Sequence, residues 1–326
     1  MKIIEFFGNI NLWGEFMIAL IIVLSILMLA LLGGGLYAYL QAFYAGGSKE
    51  KINKYFEENE SFQNARDEMA RLIDLVDKTP CEEIYIKAHD GVKLYGRYYH
   101  IKDGAPVEIM LHGYKGNAKR DMCGGHYLAK SLGHNILLID QRGCGKSEGK
   151  TITFGVKERI DALSWVRYIT NRFGDIPIFL VGVSMGGATA LMITDMDLPK
   201  NVVGAIADCP YSSPKAIIKK VCIDRGMPEF IYPIVTVGAL IFGHFYPNKE
   251  GAIKSVRNAK IPYLILHGKK DGFVPYCMAE EIFENGTGEK YLYSFEEADH
   301  GTSYMSDPQK YESATKEFMA KCLQNR

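Results

Sequence analysis

Gly182-Val183-Ser184-Met185-Gly186-Gly187 places a hydroxyl between glycines two residues before and two after it. It follows an apolar run, Ile176 to Val181, that reads as a buried strand, and precedes a helix-compatible run, Ala188 to Thr194. The small residues let the backbone take a sharp strand-to-helix turn that lifts the Ser184 hydroxyl above the sheet edge. The same turn presents the Met185 N–H at a helix N-terminus, where an oxyanion can be held. Acyl transfer at such a serine needs a base for its proton and an acid to orient the base.

Two later loops supply these groups. Gly268-Lys269-Lys270-Asp271-Gly272 follows the strand Ile261 to His267, and Ala298-Asp299-His300-Gly301 follows the strand Tyr291 to Phe295. The order serine, acid, histidine, each after a strand, puts Ser184, Asp271 and His300 on one sheet edge. Asp208 is the competing acid, and Asp299 is too close in sequence to His300 to orient its ring. A second oxyanion donor is expected from the loop His112-Gly113-Tyr114-Lys115-Gly116-Asn117, as the Tyr114 N–H. His112 reads as a support for that loop rather than as a base. Asp140 to Ser147 is glycine-rich but lacks the phosphate-loop spacing; it reads as a turn held by Asp140 and Arg142.

The elements around these loops point to one architecture. Two β runs, Ile84 to Ala88 and Val92 to Tyr99, flank the turn His89-Asp90-Gly91. Strand and helix patterns then alternate to the end of the chain, which predicts an α/β fold with a mostly parallel sheet covered on both faces. Residues 209–250 interrupt the alternation. Phe230 to Asn248 carries no formal charge, but a membrane span there would put two strands of one sheet on opposite sides of the bilayer. A helical cap is expected instead, with Phe230, Ile234 and Ile241 as candidate walls of an acyl pocket.

The N-terminus is different. Phe16 to Leu40 is 25 residues without a charge, long enough for a transmembrane helix. Glu5 and Glu15 in the leader, and the length of the apolar stretch, argue against a signal peptide. Gly33-Gly34-Gly35 reads as a kink or a frayed helix end rather than a packing face. Lys49, Lys51 and Lys54 beyond the helix outnumber Lys2 before it, so the bulk of the chain is expected on the cytoplasmic side of the cell membrane. The expected organisation is an anchor at 1–48, a linker and lead-in helix at 49–80, and a globular domain at 81–326. In the lead-in helix, Phe62, Ala65, Met69, Leu72, Ile73 and Val76 repeat at helical spacing.

Composition narrows the partners. The chain has 38 basic and 38 acidic residues, a net charge of zero that offers no electrostatic footprint for nucleic acid. Seven scattered cysteines form neither a disulfide framework nor a metal motif. No metal or organic cofactor is expected. The expected partners are a small ester or acyl substrate and the lipid bilayer.

Taken together, His112-Gly113, the Asp140-to-Ser147 turn, the Ser184 corner, Gly268-x-x-Asp271-x-x-Val274-Pro275 and Asp299-His300-Gly301 resemble the α/β-hydrolase superfamily, from about Glu83 to Leu323. Within it the chain looks like bacterial hydrolases of the serine aminopeptidase and monoacylglycerol-lipase type, including membrane-anchored forms. The resemblance implies an α/β-hydrolase fold and a serine hydrolase acting on a carboxylic ester, lipid-like or of medium chain length. A peptidase acting on amides, or a non-catalytic binding protein on the same fold, are the alternatives.

Overall fold

The computed structural model describes residues 2–46, 63 and 65–325. Its centre is an eight-stranded sheet with the order β1-β2-β4-β3-β5-β6-β7-β8. The strands are β1 (Glu82–Lys87), β2 (Lys93–Tyr99), β3 (Val107–Leu111), β4 (Asn135–Asp140), β5 (Ile178–Val183), β6 (Val202–Asp208), β7 (Tyr263–Gly268) and β8 (Lys290–Phe295). The hairpin β1-β2 is antiparallel, with Gly91 supplying the positive φ of its turn, and β2 runs antiparallel to β4. All other pairings are parallel.

Side chains alternate across the sheet with a period of two, so each strand feeds two cores. Ile109, Leu137, Ile139, Ile178 and Leu180 enter one. Met110, Ile136, Leu138, Phe179 and Val181 enter the other. The first core is closed by α5 (Glu158–Phe173), α6 (Met185–Met192), α9 (Ala252–Val256) and α10 (Cys277–Asn285). The second is closed by α2 (Arg66–Lys78), α4 (Cys123–Ser131) and α12 (Pro308–Gln324), with the short α3 (Ala118–Asp121) alongside and α11 (Ser303–Ser306) leading into α12. Leu72 and Val76 are the buried stripe of α2, as their spacing predicts. Phe62 and the linker 49–60 lie outside the described residues.

The insertion forms two helices, α7 (Pro214–Asp224) and α8 (Ile231–Ile241). Ser213 caps α7 by accepting from Ala216 N–H, and Pro214 occupies its first turn. The N-terminal helix α1 (Lys2–Ala42) runs past the predicted ends in both directions; its part from Trp13 to Ala42 is long and apolar enough to cross a membrane.

Two expectations about this end of the chain change. Gly34 and Gly35 are a packing face and not a frayed end. A Cβ on Gly238 of α8 would fall 2.2 Å from the Gly35 carbonyl oxygen, and one on Gly34 would meet Ile234 Cγ2 at 3.1 Å. Only paired glycines allow two helix backbones this close. The boundary at residue 48 is also not where the globular fold begins. Phe43 is fully buried between Phe154 and Phe245, and 43–45 exchange backbone hydrogen bonds with 150–152. The last turn of α1 therefore belongs to the first core.

Candidate active site

Ser184 sits at φ 54° and ψ −116°, a conformation that L-residues rarely adopt. Three glycines permit it by close approach. A Cβ on Gly182 would lie 2.2 Å from the carbonyl of Gly186, one on Gly186 2.0 Å from Leu111 O, and one on Gly187 2.9 Å from Asp208 O. The strand β5 thus continues through Gly182 to Val183, and α6 starts at once. The Ser184 N–H is held by Asp208 O at 2.8 Å.

The three residues singled out by spacing meet. His300 Nε2 is 3.0 Å from Ser184 Oγ, and His300 Nδ1 is 2.8 Å from Asp271 Oδ2. All three are buried, Ser184 to 7% exposure. With a carboxylate at Nδ1, the proton sits there and donates, which leaves the Nε2 lone pair facing the serine hydroxyl. Asp271 is over-determined. Its Oδ1 accepts from the N–H groups of Phe273 and Val274 at 2.9 and 2.7 Å. Burial pushes its carboxyl up, but the charge of His300 and hydrogen bonds from His267 and His300 outweigh this and hold it well below the carboxylate range. Burial likewise works against a charged His300, and the Asp271 carboxylate overrides it, raising the imidazole above its ordinary value.

Asp208 lies close by but faces elsewhere. It accepts from Ser303 Oγ at 2.9 Å, and burial pushes its carboxyl up to about 6. The ring nitrogen of His300 goes to Asp271. Asp299 acts on backbone: it accepts from His300 N–H at 2.6 Å and Gly272 N–H at 3.1 Å, tying the acid loop to the histidine loop. Gly268 allows the same contact, since a Cβ there would fall 2.2 Å from Ala298 O.

The loop after β3 lies against the serine: a Cβ on Gly113 would be 3.7 Å from Ser184 Cβ. His112 supports that loop, accepting from Gln141 N–H at Nε2 (2.9 Å) and donating from Nδ1 to Gly113 O (2.7 Å). Asp121 holds the Gly113 N–H at 3.1 Å. Among the described residues, neither Tyr114 N–H nor Met185 N–H meets a protein acceptor. The Asp140 turn is held as its residues suggest. Asp140 Oδ2 accepts from Lys146 N–H, and the buried Arg142 binds Asp161 through two nitrogens and reaches Asp90 at 3.0 Å.

Two groups were not legible. His267 is fully buried, with Nε2 at 2.8 Å from Val274 O and 3.2 Å from Asp271 Oδ2. Its four-residue spacing to Asp271 is the only signal in the sequence. Cys209, with φ 43°, brings its sulfur within 4.8 Å of Asp271 and His300 ligand atoms. Burial raises its thiol well above the ordinary range, and both His300 nitrogens are engaged, so this cluster has no donor set free for a metal.

The candidate pocket walls are not gathered at this site. Phe230 is 71% exposed, Ile241 is exposed, and Ile234 turns toward Gly34 of α1. The contact α7 does make is with the acid loop. Lys220 Nζ donates to Gly272 O, and the ring of Phe273 packs on His300 at 5.1 Å.

A family model described as the alpha/beta hydrolase fold matches residues 107–227. This chain has the α/β-hydrolase fold. The chain is 28% identical over 228 residues to the uncharacterized protein YqkD of Bacillus subtilis, covering 68% of this chain and 74% of that one. It is 26% identical over 195 residues to the lysophosphatidylserine lipase ABHD12 of Danio rerio, covering 57% of this chain and about half (49%) of the relative. Among solved structures, an esterase from Pyrococcus furiosus superposes with a TM-score of 0.62 at 23% identity, over 76% of this chain and 92% of that one. An esterase from Exiguobacterium antarcticum gives 0.54 at 22%, over 73% and 99%. At these identities the superpositions speak for the fold.

Proposed function

We propose that this α/β-hydrolase is a membrane-anchored serine esterase working through an acyl-enzyme on Ser184. The observation that carries the reading is the relay Ser184 Oγ, His300 Nε2 and Nδ1, Asp271 Oδ2, at 3.0 and 2.8 Å. Ser184 Oγ attacks the acyl carbonyl while His300 Nε2 takes its proton. Asp271 holds the tautomer that makes Nε2 the acceptor and stabilises the imidazolium. The N–H groups of Tyr114 and Met185 receive the oxyanion. His300 then protonates the leaving alcohol, and a water activated by the same nitrogen releases the acid.

A lipid-like or medium-chain ester is the substrate class we favour. Support comes from the apolar anchor and from a relative named as a lysophosphatidylserine lipase. The peptidase alternative needs a free carboxylate in the cap for a substrate amine. Of the two acids between 209 and 249, Asp224 is paired with Lys220 at 2.5 Å, and Glu229 is exposed.

The anchor reading of α1 is supported by its last turn. Cleavage as a signal sequence would remove Phe43 from the core it fills. With three lysines after the helix against one before it, the catalytic domain is assigned to the cytoplasmic side. The test is a panel of esters and amides, acetyl to octanoyl, on the full chain in nanodiscs, with phosphonate labelling of wild type and Ser184→Ala. Equal labelling of both would overturn the serine assignment, and faster cleavage of amides than of esters would overturn the esterase.

A further inference from the structure

We infer that the cap is itself a membrane-contacting element: the α7–α8 elbow and the outer face of α8 rest in the leaflet that α1 leaves. This builds on the anchor reading above.

The position of the bilayer follows from α1. Phe16 is the first residue after Glu15, and every residue from there to Leu31 is exposed around the whole helix. A hydrocarbon layer takes about 20 residues of helix. Counted from Phe16, that brings its far boundary to the level of Gly35. Protein contact begins at the same level, where Gly34 and Gly35 meet α8. The exposed Tyr37 follows, at the depth where amphipathic rings belong.

The depth of α8 follows from its contacts. Ile234 meets Gly34, Gly238 meets Gly35 and approaches Tyr39 N, and the Phe242 ring lies 6.1 Å from that of Tyr39. Residue numbers therefore rise together along the two helices. The N-terminal end of α8 points back toward the lipid-facing part of α1. Phe230, one turn before Ile234, falls inside the boundary set by Gly35.

This end exposes apolar side chains among the charged Asp224, Arg225 and Glu229, a mixture that suits the boundary between acyl chains and headgroups rather than the bilayer centre. Phe230 is 71% exposed and Ile223, at the end of α7, is 56% exposed. Further along, Leu240 and Ile241 are exposed at the level of Leu36 and Leu40 on α1, which are exposed as well. The apolar surface is thus continuous from the span onto the cap. Beside the elbow, an open cavity of about 450 Å³ is lined by Lys215, Lys219 and Glu229 together with Tyr232, Pro233 and Thr236. An interfacial helix buries its apolar face about 5–10 Å into this zone. The physical consequence is that the leaflet lies against a cap whose Lys220 touches the Asp271 loop.

Photo-crosslinking tests this with the full chain in nanodiscs containing a phospholipid that carries a diazirine in its acyl chain, the adducts being mapped by mass spectrometry. Adducts are expected on 16–35 and also on 223–241. Adducts on 16–35 with none on 223–241 would overturn the cap proposal and leave the anchor standing. No adducts on 16–35 would overturn the anchor and the cap proposal with it.

Discussion

The phenol of Tyr114 donates a 2.6 Å hydrogen bond to the carbonyl oxygen of Ala42, the last residue of α1. Its ring stacks on Phe154 at 4.9 Å, and Phe154 packs on Phe43. One residue thus joins the loop beside Ser184 to the end of the apolar helix. Its backbone N–H is the proposed oxyanion donor and its side chain is fastened to the end of α1. A neutral hydrogen bond of this kind contributes about 1 kcal/mol. Tyr114→Phe is expected to lower kcat/KM up to about tenfold, with a smaller effect on melting temperature. Unchanged kcat/KM in the folded variant would show that the tie to Ala42 does not position the loop.

Removing residues 1–46 should do more than solubilise the domain. It takes Phe43 out of a filled core, and Phe→Ala truncations at buried sites cost about 3–5 kcal/mol. Thermal melts of the full chain in detergent, of Phe43→Ala and of a form beginning at residue 38 would separate the contributions. The shortest form is expected to melt lowest or to aggregate. A domain without residues 1–46 that melts like the full chain would contradict the packing described.

Ser184→Ala should abolish phosphonate labelling and reduce kcat by up to about 10⁶ while the fold survives, since loss of a triad nucleophile has that scale. Circular dichroism and labelling on the same sample check it.

Asp271→Asn should cost about 10⁴ in kcat, because an amide at Oδ2 favours the wrong tautomer of His300. Asp208→Asn should be much milder, because Asp208 faces Ser303. The reverse ranking would transfer the acid role to Asp208.

The pH profile has a determined sign. His300 serves as base only when neutral, and the Asp271 carboxylate raises its pKa. The acid limb of kcat/KM should therefore lie above the ordinary histidine value, with activity lost as pH falls through it. In Asp271→Asn the residual activity should show that limb displaced to lower pH. A limb that stays in place would mean that it reports a different group.

Residue order along the chain determined much of this protein. Apolar strand runs separated by helical periods dictate a covered, mostly parallel sheet, because each run must bury both faces. Glycines at 182, 186 and 187 are needed wherever backbone approaches backbone, so the Ser184 corner is visible locally. Asp271 and His300 are legible because each follows a strand, and strand ends share one edge. Residue order did not determine which groups finish the site. His267 supports Asp271 through contacts that exist only once β7 and its loop are folded. The apolar run at 230–242 does not gather its side chains at Ser184, for a related reason. Hydrophobicity records that a face avoids water, and leaves open whether the face meets a substrate, a helix or a bilayer. The Gly35–Gly238 approach decided it, because two glycines some two hundred positions apart let α8 lie directly on α1. That contact draws α1 onto the domain, and no local pattern carries it, since each glycine alone reads as a weak point in its own helix.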